Sequence, residues 1–266
     1  MITEFDLTGK TALVIGAGGG LGREQAVGLA RAGADVAIAD LNQDALRSTQ
    51  AAIEAVGRRV QAFGLDITAA AEVDGVVEAA ESRLGPLHIL VNSAGMTRRG
   101  ASEDYDAELF ERILDTNLNG VFYACQSAGR RMMKTGGGRI INMGSIFSSV
   151  GLAESAAYSM SKGAVAQLTR ALAIEWAPFG IAVNAILPSW FDTAMGNVVT
   201  DRENFYAKNS DIPSSADLAA RTTGRVPMRR VGKPPEIVGA TVFLASAAAS
   251  MVTGHLLAVD GGFLAQ

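Results

Sequence analysis

A single cysteine, Cys125, stands among the 266 residues, which excludes an intramolecular disulfide and any metal site built on paired thiolates. Histidine is nearly as scarce. The two present, His88 and His255, leave little from which to build a His-based zinc centre or a Ser-His-Asp triad, so no metal is expected. Excess charge of one sign is also missing. The 23 Lys and Arg residues face 27 Asp and Glu, a net of −4, which argues against nucleic acid or an anionic membrane as the main partner. No apolar run has the character of a membrane span. The late uncharged run Ile237 to Gly254 carries Thr241, Ser246, Ser250, Thr253 and two glycines, and it reads as a buried helix leading into a turn. Nothing in Met1 to Lys10 resembles a targeting signal, because Glu4 and Asp6 lie there and no apolar run follows a basic start. The expectation is a soluble, cytoplasmic protein with no membrane partner.

Apolar residues, at 48%, are plentiful enough for a large core, and a single fold of this length buries about three quarters of its unfolded surface. Short β-branched runs recur at Thr11 to Gly16, Asp35 to Asp40, Val60 to Asp66, His88 to Ser93, Arg139 to Ser145, Ile181 to Pro188 and His255 to Gly261. Most are apolar throughout, as strands covered on both faces of a parallel sheet must be. Between them lie stretches of helical spacing such as Leu21 to Ala32 and Asn42 to Val56. Seven strand units alternating with helices give an α/β doubly wound, seven-stranded parallel sheet with helices on both faces, Rossmann-like, in a single domain spanning 1–266. From about 189 to 230 the rhythm breaks into an irregular polar stretch containing Pro213 and Pro227. It follows a strand end, where ligands bind in such sheets, so it is read as a substrate lid.

Glycine is the abundant residue, at 30, without a collagen-like period. Gly16-Ala-Gly-Gly-Gly20-Leu-Gly22 falls on the first strand-to-helix turn. There the backbone can approach a pyrophosphate and the helix N-terminus can meet its charge. Asp40 ends the second strand, 18 residues after Gly22, where a carboxylate accepts the hydrogen bonds of an adenosine ribose diol and repels a 2′-phosphate. No arginine follows Asp40 until Arg47, so NAD is expected over NADP.

Tyr158 and Lys162 stand at i and i+4, which puts both on one helix face. An ammonium close to a phenol favours the phenolate, so the spacing predicts a Tyr158 pKa lowered from about 10 and a usable acid/base for an alcohol or ketone. With only four tyrosines and five lysines in the chain, such a pair is informative. Ser145, 13 residues earlier at the end of the fifth strand, is placed to hydrogen-bond a substrate oxygen. The bland alternative is a serine that caps the next turn.

Taken together, these motifs resemble the short-chain dehydrogenase/reductases in their single-domain branch, over essentially the whole chain. Further matches are Asn92-Ser-Ala94-Gly95, Asn117 in Asp-Thr-Asn-Leu-Asn-Gly, Asp66-Ile67, Pro188 to Thr193, and Asp260-Gly-Gly262. The resemblance implies a catalytic set of Asn117, Ser145, Tyr158 and Lys162, with Asn117 holding a water in a proton relay and Lys162 also binding the nicotinamide ribose. It implies NAD contacts from Gly16, Gly20, Leu21, Gly22, Asp40, Leu41, Asp66, Ile67, Asn92, Ala94, Gly95, Tyr158, Lys162, Pro188, Phe191 and Thr193, substrate contacts from Ser145 and Tyr158, and a homotetramer. Three positions depart from the family pattern: Ile15 for threonine, Ser93 for asparagine and Ser189 for glycine. The substrate expected is a small-molecule alcohol or ketone. The opening segment and Trp190 to Met195 look like members acting on sugars and sugar acids, and Arg98 and Arg99 are placed to meet a carboxylate. The alternatives are a 3-oxoacyl-thioester reductase of the acyl carrier protein type, a hydroxysteroid dehydrogenase, or a catalytically idle NAD-binding sensor.

Overall fold

The computed structural model describes residues 3–193 and 224–266. Its strands are β1 (Thr11–Ile15), β2 (Asp35–Asp40), β3 (Val60–Gly64), β4 (Leu87–Asn92), β5 (Gly138–Met143), β6 (Ile181–Pro188) and β7 (Leu256–Val259). They form one parallel sheet in the order β3-β2-β1-β4-β5-β6-β7. The helices among the described residues are α1 (Gly20–Arg31), α2 (Gln43–Glu54), α3 (Ala70–Leu84), α4 (Ala107–Leu114), α5 (Gly120–Thr135), α6 (Ala156–Trp176) and α7 (Val238–Ala245).

The doubly wound expectation holds, and the reason lies in the strand interiors. Every residue of β1 is buried, and all of β6 but Pro188. Alternate residues feed opposite faces. Ala12 and Val14 of β1, with Val36 and Ile38 of β2, pack under α1, α2 and α7 through Leu29, Leu46, Ile53 and Leu244. Leu13 and Ile15, with Leu90 of β4 and Ile140 of β5, pack under α3, α5 and α6 through Val77, Ala124, Val165 and Trp176. The edge strands β3 and β7 are only partly covered. Among the described residues no helix is long and apolar enough to cross a membrane. The run from Ile237 becomes α7 followed by a 3-10 turn, as its polar residues suggested.

Strand order reverses between β1 and β4, which opens a crevice at their carboxyl ends. A buried polar chain fixes the strands beside it. Asn92 Nδ2 donates to Asn142 Oδ1 at 2.9 Å, and Asn142 Nδ2 donates to Thr169 Oγ1 at 3.0 Å, tying β4 to β5 and both to α6. Cys125 lies in the same web, and burial pushes its thiol pKa up to about 12, so it is inert. Strand ends were read too long at β3, where Asp66 turns away to accept from Thr68 instead of continuing the ladder. The proposed lid at about 189–230 falls mainly on residues 194–223, outside the described residues.

At the opposite edge, the β1–β4 register shifts between Thr11 and Ala12, and the Thr11 N–H donates to His88 Nδ1 at 3.1 Å. Only a neutral imidazole can accept there. Burial and then Lys10 hold the His88 pKa below its usual 6.5. The folded state therefore binds this proton less readily than the unfolded chain does. The contribution of His88 is fully present above pH 6.5 and is lost as pH falls below it. Thermal unfolding followed downward from neutral pH should show the wild type losing midpoint more steeply than His88→Asn, whose carbonyl accepts the same N–H at any pH. Parallel curves would show that His88 does not carry this dependence.

Candidate active site

The sheet's carboxyl edge gathers the site. At its first turn, Gly16 lies in the left-handed region at φ +86°, and a Cβ there would overlap the Ala94 backbone. A Cβ at Gly22 would overlap the Gly16 carbonyl oxygen. The turn is thus folded on itself and against the Ser93–Ala94 strand end, where Ser93 N donates to Ile15 O at 2.8 Å. Ile15, at 1% exposure, fills its place by packing. α1 then starts with no side-chain cap and no acidic residue in its first turn. Its leading N–H groups are available to an anion, and Gly19 is open, with nothing within 4 Å of where its Cβ would be. These features fit a dinucleotide pyrophosphate.

Asp40 has a local task as well. Its Oδ2 accepts from Gly18 N and its Oδ1 from Asn42 N, both at 2.9 Å, so the carboxylate pins the glycine turn to the end of β2. Each oxygen keeps a further lone pair. Leu41 beside it is exposed, and Arg47 is engaged by Asp44 at 2.9 Å. Thr193 reaches over the turn, 3.5 Å from a Cβ built on Gly20, which brings the exit of β6 onto the glycine loop. Asp66 is half-buried and Ile67 buried, with Ile67 packed against Gly120. Asn92 turns its side chain into the core web, so only its backbone faces the crevice. Pro188 ends β6, followed by Ser189, whose N–H donates to Val259 O at 3.4 Å, and by Phe191, packed on Gly232.

The acid/base candidates come from three elements. Tyr158 and Lys162 lie one turn apart on α6. Lys162 is 4% exposed, its Nζ donates to the Met143 carbonyl at 2.7 Å, and it lies 5.7 Å from the Tyr158 ring centre. Gly95 is beside it, 3.6 Å from Nζ to a built Cβ. Burial pulls the Lys162 pKa down to about 8. The Tyr158 phenol moves the other way from the expectation. Desolvation raises its pKa above 10, opposed by a hydrogen bond with Ser145. The i, i+4 spacing gave the proximity correctly, but it could not show that the ammonium bonds to a backbone carbonyl or that the phenol loses water.

Ser145 combines both readings made of it. Its Oγ accepts from Phe147 N at 3.2 Å, capping the 3-10 turn Ile146–Ser148. An oxygen that accepts an N–H has its own proton left to donate, towards Tyr158 or a substrate oxygen. Asn117 occupies a π-helical turn, Asp115–Asn119, between α4 and α5. Its Nδ2 donates to Met96 O (2.9 Å) and Ser161 Oγ (3.0 Å), and its Oδ1 accepts from Met96 N (2.8 Å). One Oδ1 lone pair is what its side chain retains for water.

Three contributors escaped the sequence reading. Ser161 bridges Asn117 to Tyr158 O at 2.8 Å. Ser148 donates to Lys162 O at 2.7 Å and accepts from Ser145 N. The Met143 carbonyl holds the ammonium. A serine directly before Lys162 and a serine cluster after Ser145 were visible, but hydroxyls are too common to single out. Among the described residues there is no group of three or more His, Cys, Asp or Glu that could hold a metal.

Comparison with known proteins places these features. The family model described as enoyl-(acyl carrier protein) reductase matches residues 16–264. The 2-dehydro-3-deoxy-D-gluconate 5-dehydrogenase of Bacillus subtilis (strain 168) is 42% identical over 263 residues, 98% of this chain and 97% of that protein. A short-chain type dehydrogenase/reductase from Mycobacterium marinum superposes with TM-score 0.87 at 34% identity, covering 99% and 98% of the two chains. A gluconate 5-dehydrogenase from Burkholderia cenocepacia J2315, solved in complex with NADP and tartrate, gives TM-score 0.86 at 33% identity over 99% and 98%.

Gly22→Ala should cost the protein its dinucleotide affinity, by about tenfold or more, because the turn must open to admit the methyl group. Gly75→Ala, with nothing within 4 Å, serves as the neutral control. NADH fluorescence titration measures both. Equal affinity for wild type and Gly22→Ala would remove the glycine turn from the cofactor site.

Proposed function

Because the chain belongs to the short-chain dehydrogenase/reductase family, and is accordingly an NAD(P)-dependent oxidoreductase acting on CH–OH groups, we propose that it interconverts a sugar acid or polyol and its ketone with NAD(H). The observation that carries this reading is the convergence of Tyr158, the buried Lys162 and Ser145 at the sheet's carboxyl edge, which also carries the glycine turn. The nicotinamide, when bound, takes up or supplies the hydride. Gly16 to Gly22 and the open N-terminus of α1 would hold the pyrophosphate, and Asp40 the adenosine ribose. Lys162 would reach the nicotinamide ribose.

In oxidation Tyr158 removes the hydroxyl proton, and in reduction it returns one. Ser145 donates its proton to the substrate oxygen and keeps that oxygen aimed at Tyr158. The Lys162 ammonium stabilises the phenolate that burial otherwise disfavours. Asn117 fixes the Met96 loop and Ser161 around this pair, and its remaining acceptor leads a proton towards water. The stretch about 189–230 would close over the substrate.

Substrate class rests on chemistry and on relatives. The Bacillus and Burkholderia proteins are named for sugar-acid substrates, and tartrate is a hydroxy-dicarboxylate. Arg98 and Arg99 follow the Asn92–Gly95 turn, on the route from Gly95 towards the 3-10 turn Ser102–Asp104, where guanidinium groups suit a carboxylate. The acyl-thioester alternative is favoured only by the description of the family model. We also infer a homotetramer, which the exposed apolar residues Phe122 on α5 and Met160 and Ile174 on α6 support, and a cytoplasmic location, where the soluble nicotinamide pool lies.

Tyr158→Phe should lower turnover by about 10²-fold or more while leaving NADH affinity unchanged. The assay is a screen with sugar acids and polyols, run beside hydroxyacyl thioesters and hydroxysteroids. Wild-type turnover in Tyr158→Phe would defeat the acid/base assignment. Turnover confined to thioesters would defeat the substrate class, and none with any secondary alcohol would favour an NAD-binding sensor. For the cofactor, kcat/KM should favour NAD over NADP by about tenfold or more, the equivalent of about 1.4 kcal/mol. Asp40→Asn, which keeps an acceptor but no charge, should narrow that ratio. A wild type preferring NADP would overturn the choice of NAD, in line with the NADP held by the Burkholderia relative.

A further inference from the structure

Aromatic residues make up 6% of this chain, yet four of them line up edge to face from the acid/base candidate to the C-terminal turn. The Tyr158 ring meets Phe147 at 6.1 Å between centres and an interplanar angle of 80°. Phe147 meets Trp190 at 6.1 Å and 82°, and Trp190 meets Phe263 at 5.2 Å and 79°. The four belong to α6, the turn after β5, the exit of β6 and the 3-10 turn after β7. Edge-to-face contacts of this kind orient each ring by the quadrupole of the next.

The far end is clamped. Asp260 Oδ1 accepts from Gly262 N and Oδ2 from Leu264 N, both at 2.8 Å, which holds the turn carrying Phe263. Gly262 sits at φ +88°, a conformation that lets the chain reverse there. The Arg225 guanidinium lies 5.9 Å from the Phe263 ring centre, and the Arg225 carbonyl accepts from Gln266 Nε2 at 2.7 Å. Phe263 is therefore fixed from both sides.

We propose that Phe263 is a positioning residue for Tyr158, acting through Trp190 and Phe147. The proposal rests on the acid/base reading of Tyr158. Among the described residues the Tyr158 ring meets the edge-to-face Phe147 and the Lys162 ammonium, and of these only Lys162 belongs to the same helix. The direction of the phenol is thus set in part by a residue next to the C-terminus, outside the catalytic motif. Removing the Phe263 ring leaves Trp190 free to tilt, and the tilt passes along the row.

The test uses the full-length protein in a Trp176→Phe background, where Trp190 is the sole tryptophan. Phe263→Ala should shift the Trp190 emission and lower kcat by about tenfold, since misplacement by an ångström at a reacting centre costs up to about a hundredfold. KM for NAD should stay within about twofold, because Phe263 itself is not one of the cofactor contacts, and Phe263→Tyr should restore both kcat and emission. Unchanged kcat in Phe263→Ala overturns the proposal. So does a loss of kcat accompanied by an equal loss of cofactor affinity without rescue by Phe263→Tyr, which would mark a general collapse of the C-terminal turn. Failure of the underlying reading shows up separately, as wild-type turnover in Tyr158→Phe, while the Trp190 emission tests the aromatic row whatever the activity.

Discussion

The Lys162 ammonium lies under the carboxyl ends of β4 and β5, and its surroundings are organised by the need to house a buried cation. An unpartnered charge there would be prohibitive, and a well-paired one would be held rigidly with little reason to act. The structure gives it one strong acceptor, the Met143 carbonyl, and an aromatic face, Tyr158. Burial holds its pKa down to about 8, and the ammonium keeps donor capacity beyond the Met143 bond. Ser148 on the Lys162 carbonyl, Ser161 on the Tyr158 carbonyl and Asn117 across to Ser161 fix the helix turn that carries it. The glycine at position 95 leaves room beside the ammonium.

Around this cation the site divides its labour by element. The glycine turn and the uncapped start of α1 suit the charged part of a dinucleotide. Asp40 closes that turn and keeps a further lone pair on each carboxylate oxygen at the end of β2. Ser145 is a turn cap and a donor at once, because its oxygen is engaged from the backbone and its proton is not. Such double use ties the shape of the site to its chemistry. It also means that replacing any of these side chains changes both shape and chemistry.

The fold was legible because β1, β2, β4 and β6 bury both faces, and burial on both faces leaves a continuous apolar run in the sequence. Edges were less legible. At Asp66 a side-chain turn with Thr68 ends β3 early, and such a bond depends on local geometry more than on composition. The π-helical turn at Asp115–Asn119 was not legible, because no spacing of residue types distinguishes an i→i+5 turn from an α-helical one. In the candidate site, spacing foretold where residues stand, Tyr158 one turn from Lys162, Ser145 at the exit of β5 and the glycines on the first turn. The site was illegible where the partner is a backbone atom or a distant ring. The Met143 carbonyl, the inward turn of Asn92 and the row from Tyr158 to Phe263 are products of the tertiary fold. The sign of the Tyr158 shift failed for the same reason, since spacing fixes distance and says nothing of desolvation.

The central claim is that Lys162 governs the ionisation of Tyr158. The most direct measurement is an ultraviolet difference titration of tyrosinate in the NAD-loaded protein, with Tyr158→Phe as the blank that isolates the Tyr158 step. The account predicts that this step moves to higher pH in Lys162→Met, because loss of the ammonium removes the charge that favours the phenolate. A Tyr158 step at the same pH in wild type and Lys162→Met would contradict it.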